Sequence, residues 1–242
     1  MLFKSIRAEE RKLRHSPVWL ASFILPIIPA IMGTFNYVQN ISILQDQWYS
    51  LWTQHTLFNC YFFLPALIGI YASYLYRLEH TNYNWNRLLL LPVPFLYHYL
   101  SKLVIAWGMV LVTQAWTGIL YMICGKLIGL TAPLPQEFPV WLLFGAVGSF
   151  VVCALQLCIS LVLRSFAVPV GIALIGGIGG IAALSAGHGA LFPYALISLG
   201  MRANNPAAPM PCAADVFLRN SLIYVILCVI FVFFWGRKRD IA

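Results

Sequence analysis

Charge is what this sequence lacks. Only 9% of its 242 residues are Asp, Glu, Lys or Arg, and seven of these are acidic. The scarcity is patterned: no ionised residue stands between Lys102 and Lys126, and comparable charge-free runs recur along the chain. Ion-coupled carriers and pumps generally keep an ionisable group at membrane depth, where function must offset its desolvation. None lies well inside these runs, which argues against a proton-coupled carrier and against intramembrane acid or base chemistry. A G-x-x-x-x-G-K-[ST] loop is also missing, and with it the usual way of cradling ATP phosphates. The histidines His15, His55, His80, His98 and His188 form no pair at helical ligand spacing, and the six cysteines show no metal spacing. Ser185 and His188 are close in sequence but have no third orienting group or nucleophile motif beside them. No internal repeat or low-complexity tract is present.

In place of charge the chain has apolar length: 61% of residues are hydrophobic and the mean hydropathy is +0.83. A helix crosses a hydrocarbon core of roughly 30 Å with about 20 residues at about 1.5 Å each. Six stretches meet this requirement, at 17–35, 57–76, 103–124, 140–163, 168–186 and 220–235. They are continuously apolar instead of alternating, and lipid offers no partner to free backbone groups, so they predict helices and not strands. No loop is large enough for a soluble module, so residues 1–242 are expected to form a single all-α integral membrane domain. The first run follows a long charged segment, is interrupted by Pro26 and Pro29 and lacks a small-residue cleavage site, so it does not fit a cleavable signal peptide.

Six spans put both termini on one side, and cations are retained on the cytoplasmic face. With the termini inside, twelve of the 15 Lys and Arg are cytoplasmic and only Lys126, Arg202 and Arg219 lie outside. The net charge of +8 is therefore read as a topology signal. It is not read as a nucleic-acid patch, because the cations are scattered over separate loops. Cys153, Cys158 and Cys228 fall in spans as small apolar residues. Cys60, Cys124 and Cys212 fall toward the outer face, where one bridge stays open as an option.

Two cytoplasmic segments have helical patterns. In the first, Leu2, Phe3, Ile6 and Leu13 separate from Lys4, Arg7, Arg11, Lys12 and Arg14, predicting an amphipathic helix on the inner leaflet. The second is the loop RLEHTNYNWNRLLLLPVPFLYHYLSK from Arg77 to Lys102. There Thr81, Trp85, Leu88 and Leu89 fall at i, i+4, i+7 and i+8, and Pro92 and Pro94 end the pattern. Such a stripe has three places to bury itself: the membrane interface, the chain's own helices, or a groove on another protein.

At these residues the sequence resembles the type-two ABC exporter permeases, and among them the small permease subunits of lantibiotic self-immunity and bacitracin-resistance transporters. The matching features are Glu79 after the second span, Trp85 and Leu88 in the loop helix, Leu91-Pro92-Val93, and Ser101-Lys102 at the third span. His80 and Asn82 stand where many relatives carry further charge. The resemblance implies an ATPase-coupling element at Glu79, Thr81, Trp85, Leu88, Leu89 and Pro92. It implies a second identical or homologous permease and a separate ABC ATP-binding subunit that holds ATP and Mg, with no catalytic residue and no cofactor in this chain. The implied setting is the cytoplasmic membrane of a bacterium, and the implied work is export of a membrane-active peptide antibiotic, or of bacitracin or another amphipathic drug. A stand-alone carrier or channel and an intramembrane enzyme are the readings from other classes.

Two further features remain. In the fifth span, Ala173, Gly176, Gly177 and Gly180 make a small-residue face, suited to packing within the bundle, to a permease interface, or to a substrate path. On the outer side, Trp48, Tyr49 and Trp52 precede the second span, while the apolar piece 191–201 is too short to span. Together they suggest an aromatic outer vestibule that contacts a peptide substrate, or the ordinary aromatic belt of a membrane interface. The short piece fits either a dip into the outer leaflet or a re-entrant position, and resembles the outer-face helices of the same permeases.

Overall fold

The structure is a computed structural model that describes residues 1–14, 16–81, 85, 90 and 93–239. It is all helical, with no strand among the described residues and six helical segments long and apolar enough to cross a membrane. The elements are α1 (Leu2–Leu13), α2 (Val18–Ile24), α3 (Ile27–Gln39), α4 (Gln47–Phe58), a π-helical turn (Asn59–Phe63) and α5 (Leu64–His80). They continue with α6 (Phe95–Leu127), α7 (Phe138–Val162), α8 (Ala167–Ser185), a 3-10 turn (Gly189–Leu191), α9 (Ala195–Gly200) and α10 (Ala214–Arg239).

Prolines punctuate the helices where the missing N–H does no harm. Pro17, Pro26 and Pro94 sit at the N-caps of α2, α3 and α6, and Pro139 opens α7. The Ser16 hydroxyl accepts from the Val18 amide and closes the start of α2. Pro65 acts differently. It cannot donate to the Tyr61 carbonyl, and the chain answers with the π-helical turn just before it, where the Leu64 amide bonds Asn59.

The spans extend beyond the predicted limits. The second runs Gln47–His80, ten residues earlier than expected, and the third runs Phe95–Leu127. Polar residues that read as exits are paired inside the bundle: Asn36 donates to Gln54, and Thr34 bonds His55 at 2.8 Å. The sixth span begins at Ala214 instead of Asn220, whose amide donates to the Ala190 carbonyl at 2.9 Å. Satisfied in this way, polar side chains no longer limit a span.

Helix α7 lies centrally, against α5, α6, α9 and α10, and α5 packs on α8. The glycine face of α8 is spent inside this chain. Ala173 is fully buried against Gly69, Gly176 faces the Tyr194 ring, Gly177 meets the Tyr61 carbonyl and Pro65, and Gly180 lies against Ala195. The Gly177 approach works because Tyr61 is the carbonyl that Pro65 leaves without its helical donor, so backbone meets backbone where a side chain would intrude. A second small-residue face has no counterpart in the expectations. Gly148 of α7 meets the Leu196 carbonyl, and Gly200 meets the Phe144 carbonyl. These contacts seat α9, all six of whose residues are buried. From Tyr194 to Met201 the short apolar piece is thus enclosed by protein, while Leu191 at its start is 62% exposed.

Helix α1 packs along α6, with Leu2 and Ile6 half-buried and Glu9 and Leu13 buried, while Phe3 is 86% exposed. The apolar face expected to rest on lipid is therefore divided: most of it faces the bundle. All six cysteines are free thiols.

Candidate functional site

The chemistry of the chain concentrates where α1, α5 and α6 meet. The Lys102 ammonium donates to Glu9 Oε2 at 2.9 Å, to Glu79 Oε1 at 2.8 Å and to the Leu75 carbonyl at 2.9 Å. Lys12 donates to Glu9 Oε1 at 2.8 Å and to Glu79 Oε1 at 2.9 Å. All three Lys102 donors are used, and the Tyr76 ring lies 5.2 Å from its nitrogen. The cluster is neutral, two carboxylates against two ammonium groups, which is the condition for holding charge away from water. The side chains of Lys102, Glu79 and Glu9 are 1%, 3% and 4% exposed, that of Lys12 35%.

Lys12, the one member open to solvent, is pulled down by partial burial and pushed up by Glu79 and Glu9, with a net rise above the ordinary lysine value of 10.5. Glu79 Oε2 is buried and has no hydrogen-bond partner among the described residues.

Lys102 stands at the end of the second turn of α6, not in a loop flanking the span as its charge suggested. Glu9 was not among the expected site residues. Its signal was present: Leu2, Ile6, Glu9 and Leu13 share one face of α1, so a carboxylate three before Lys12 interrupts an otherwise apolar stripe. Buried charges at three helix surfaces fix α1 to the bundle at one position, since sliding α1 by a turn would separate both pairs that cross to it, Lys12–Glu79 and Lys102–Glu9.

Beside this cluster stands the root of the loop. Thr81 is in extended backbone and donates its hydroxyl to the Arg77 carbonyl at 3.1 Å, ending α5 instead of opening the loop helix. Trp85 stacks on Tyr76 and Phe95, with ring centroids 6.1 and 5.9 Å away and planes tilted by 20° and 23°. Its indole donates to His80 Nδ1 at 3.1 Å, and His80 Nε2 lies 2.8 Å from the Ser160 carbonyl. A carbonyl only accepts, so the His80 proton belongs on Nε2 and Nδ1 receives the indole hydrogen. Trp85 therefore takes the second of the three burials open to the stripe, against the chain's own helices. Asn82, Asn86, Leu88, Leu89, Leu91 and Pro92 lie outside the described residues.

The outer aromatic residues do not form an open vestibule. Trp52 is fully buried: its indole donates to the Met201 carbonyl at 2.7 Å, and it packs on Tyr121, Trp141 and Phe138. Trp48 is 5% exposed and donates to the Ala132 carbonyl at 2.7 Å. Only Tyr49 keeps a rim position, donating to Glu137 at 3.1 Å. Each indole satisfies a carbonyl in a segment between helices, which explains why these residues sit inside the protein and not at a water-filled surface.

A multi-pass helical bundle with an amphipathic first helix, and a loop root braced by buried charge, has the architecture of a transporter membrane subunit. The family model for the ABC-2 family transporter protein matches residues 5–180, nearly three quarters of the chain, and the protein belongs to that family. It is thus an ABC transporter permease subunit, and the family implies an ATP-binding subunit as its partner. No curated protein and no solved structure matches the chain.

Proposed function

We propose that this permease is one half of the membrane unit of an ATP-driven exporter, paired with an identical or homologous permease. Both termini would be cytoplasmic, in the cytoplasmic membrane of a bacterium. ATP and Mg bind on the partner ATPase, and this chain catalyses no reaction itself. The loop after α5, including Leu88, Leu89 and Pro92, seats in the ATPase.

The observation that carries this reading is the buried Glu9–Lys12–Glu79–Lys102 cluster at the root of that loop. It acts by position: Glu79, two residues before the end of α5 at Thr81, is joined through Lys102 to α6 and through Lys12 to α1. A displacement imposed on the loop then moves three helices together. Coupling is worth only the difference in contacts between the two states of the ATPase, so a root that yielded under load would waste it. Glu79 is a positioning residue on this account, because it is too buried to touch the ATPase.

The cargo we propose is a membrane-active peptide antibiotic of the lantibiotic kind, with bacitracin or another amphipathic drug as the near alternative. The resemblance to the immunity permeases supports it. So does the character of the larger grooves, which open sideways along apolar helices: one of about 550 Å³ runs between α7, α8 and α10 past Leu155, Ile172 and Leu227. Lateral access suits cargo that already resides in the membrane.

Co-expression with the ATP-binding subunit encoded beside it tests the whole reading. The two should purify as a stoichiometric complex whose ATP hydrolysis rises with added lantibiotic, and cells should survive higher doses. Glu79→Gln should leave the complex intact and lower peptide-stimulated hydrolysis. Protection that persists with a catalytically dead ATPase would refute active export. Protection against bacitracin alone would select the near alternative.

A further inference from the structure

A groove of about 900 Å³ lies apart from the buried charge cluster, between α1 and α6. Its two walls have opposite chemistry. One is the outer flank of α1, where Arg7, Arg11 and Arg14 fall at i, i+4 and i+7 with Glu10 among them. The other is apolar: Val104, Ile105, Gly108 and Met109 of α6, with Leu13 and Trp19 also lining the groove. Trp19 is held there by its indole bond to the Leu13 carbonyl at 3.0 Å.

The ion pairs among the described residues engage Glu9, Lys12, Glu79 and Lys102, and none engages these three arginines. One carboxylate stands against three guanidinium groups, so the wall carries an excess of two positive charges. Val104, across from it, is 44% exposed. At Gly108 a Cβ would meet nothing within 4 Å, so the groove is open there because a side chain is missing, not because neighbours are badly packed.

We propose that this groove binds an anionic glycerophospholipid, its phosphodiester against Arg7, Arg11 and Arg14 and an acyl chain along Val104, Ile105 and Gly108. Guanidinium groups bind phosphate oxygens in pairs, and basic pockets beside transmembrane helices select anionic headgroups. A free phosphate would satisfy the arginines and leave the apolar wall wet. A neutral lipid would cover the wall and leave the excess charge. A chain with both ends matches both walls. Position agrees: the groove begins beside α1 and descends α6 from Val104 toward Met109, the path of an inner-leaflet lipid in the orientation proposed above. Bound there, the lipid would hold α1 against α6 from the side opposite the charge cluster.

The test uses the full chain in detergent, titrated with dioleoyl phosphatidylglycerol or dioleoyl phosphatidylcholine, with bound lipid counted by native mass spectrometry. Phosphatidylglycerol should be retained about tenfold or more over phosphatidylcholine. Each single Arg→Gln change at Arg7, Arg11 or Arg14 should weaken it about fivefold, and the triple change should erase the preference. Arg164→Gln, an exposed arginine elsewhere, should change nothing. Gly108→Phe, whose Cβ meets nothing within 4 Å, places a ring in the groove and should lower phosphatidylglycerol binding while every arginine remains. Equal binding of the two lipids would overturn the proposal, as would a preference that survives the triple change or Gly108→Phe. Displacement of the lipid by millimolar inorganic phosphate would overturn it in favour of a free-anion site. Should the triple variant fail to fold, the wild-type preference and Gly108→Phe still decide the question.

Discussion

Replacing Lys102 by Met keeps the length and apolar stem of the side chain and removes one buried charge. Two charge-assisted hydrogen bonds disappear, to Glu9 and Glu79, together with the bond to the Leu75 carbonyl. Glu9 and Glu79 are then left to share Lys12, whose side chain is 35% exposed and holds them less firmly. Two hydrogen bonds to charged groups at about 1.5–3 kcal/mol each give about 3–6 kcal/mol. Removing one partner of a buried ion pair independently suggests about 3–5 kcal/mol. These describe one event, so the expected loss is about 3–5 kcal/mol and not their sum. Adding Glu79→Gln to Lys102→Met restores neutrality, one carboxylate against one ammonium group. The double variant should be more stable than the sum of the single losses predicts, by about 2 kcal/mol. Unfolding in mixed micelles of increasing dodecyl sulfate fraction measures all three variants. A Lys102→Met loss under about 1 kcal/mol, or a coupling within about 0.5 kcal/mol of zero, would refute the claim that these charges act as a unit.

Three other outcomes can be checked. Gly177→Ala should destabilise the protein by about 1–3 kcal/mol in the same unfolding assay, since its Cβ meets the Tyr61 backbone, whereas Gly171→Ala, with open space, should cost nothing. Trp52→Ala should cost about 3–5 kcal/mol as a core truncation, while Tyr49→Phe should be near neutral; a stable Trp52→Ala protein with weakened peptide binding would restore the substrate-contact expectation. Lys12 has a raised pKa, so its stabilisation is present below 10.5 and is lost as pH rises through its folded value. The thermal midpoint of the wild type should therefore fall above pH 10.5 relative to Lys12→Arg, and parallel curves for the two would remove Lys12 from the cluster.

Six spans are legible because apolar length is a property of local sequence, and each lies on a described helix. Their ends are less legible, because hydropathy treats a polar side chain as bound for water. Gln54, His55 and Asn220 all terminate a run on that rule, yet each bonds a partner from another part of the chain. Lys102 is the same case with a full charge. Glu79 and Lys102 were visible through the resemblance, but their partner Glu9 lies 93 positions from Lys102, and no local pattern pairs them. The small residues of α8 were recognised as a packing face, but what they pack against depends on Pro65 and the turn it forces, which is a matter of tertiary structure. Trp48 and Trp52 show the limit most clearly. An indole before an apolar run fits an interface belt or a vestibule equally well, and only the positions of the Ala132 and Met201 carbonyls place it in the core.

The long second span is attached differently along its length. Its first part, α4, is held to α3 and to the cluster of Trp48, Trp52, Tyr121, Phe138 and Trp141, with Trp52 also securing the end of α9. Its second part, α5, is held by charge to α1 and α6, by His80 to the Ser160 carbonyl of α7, and by small residues to α8. Aromatic packing and indole hydrogen bonds on one side, and ion pairs on the other, meet at the π-helical turn that Pro65 imposes. The loop root therefore sits on the half of the span whose contacts reach four other helices. Among these, Glu79 would lose both of its ion-pair partners, Lys12 and Lys102, if α5 moved without α1 and α6, so a shift of α5 alone carries the cost of an unpaired buried carboxylate.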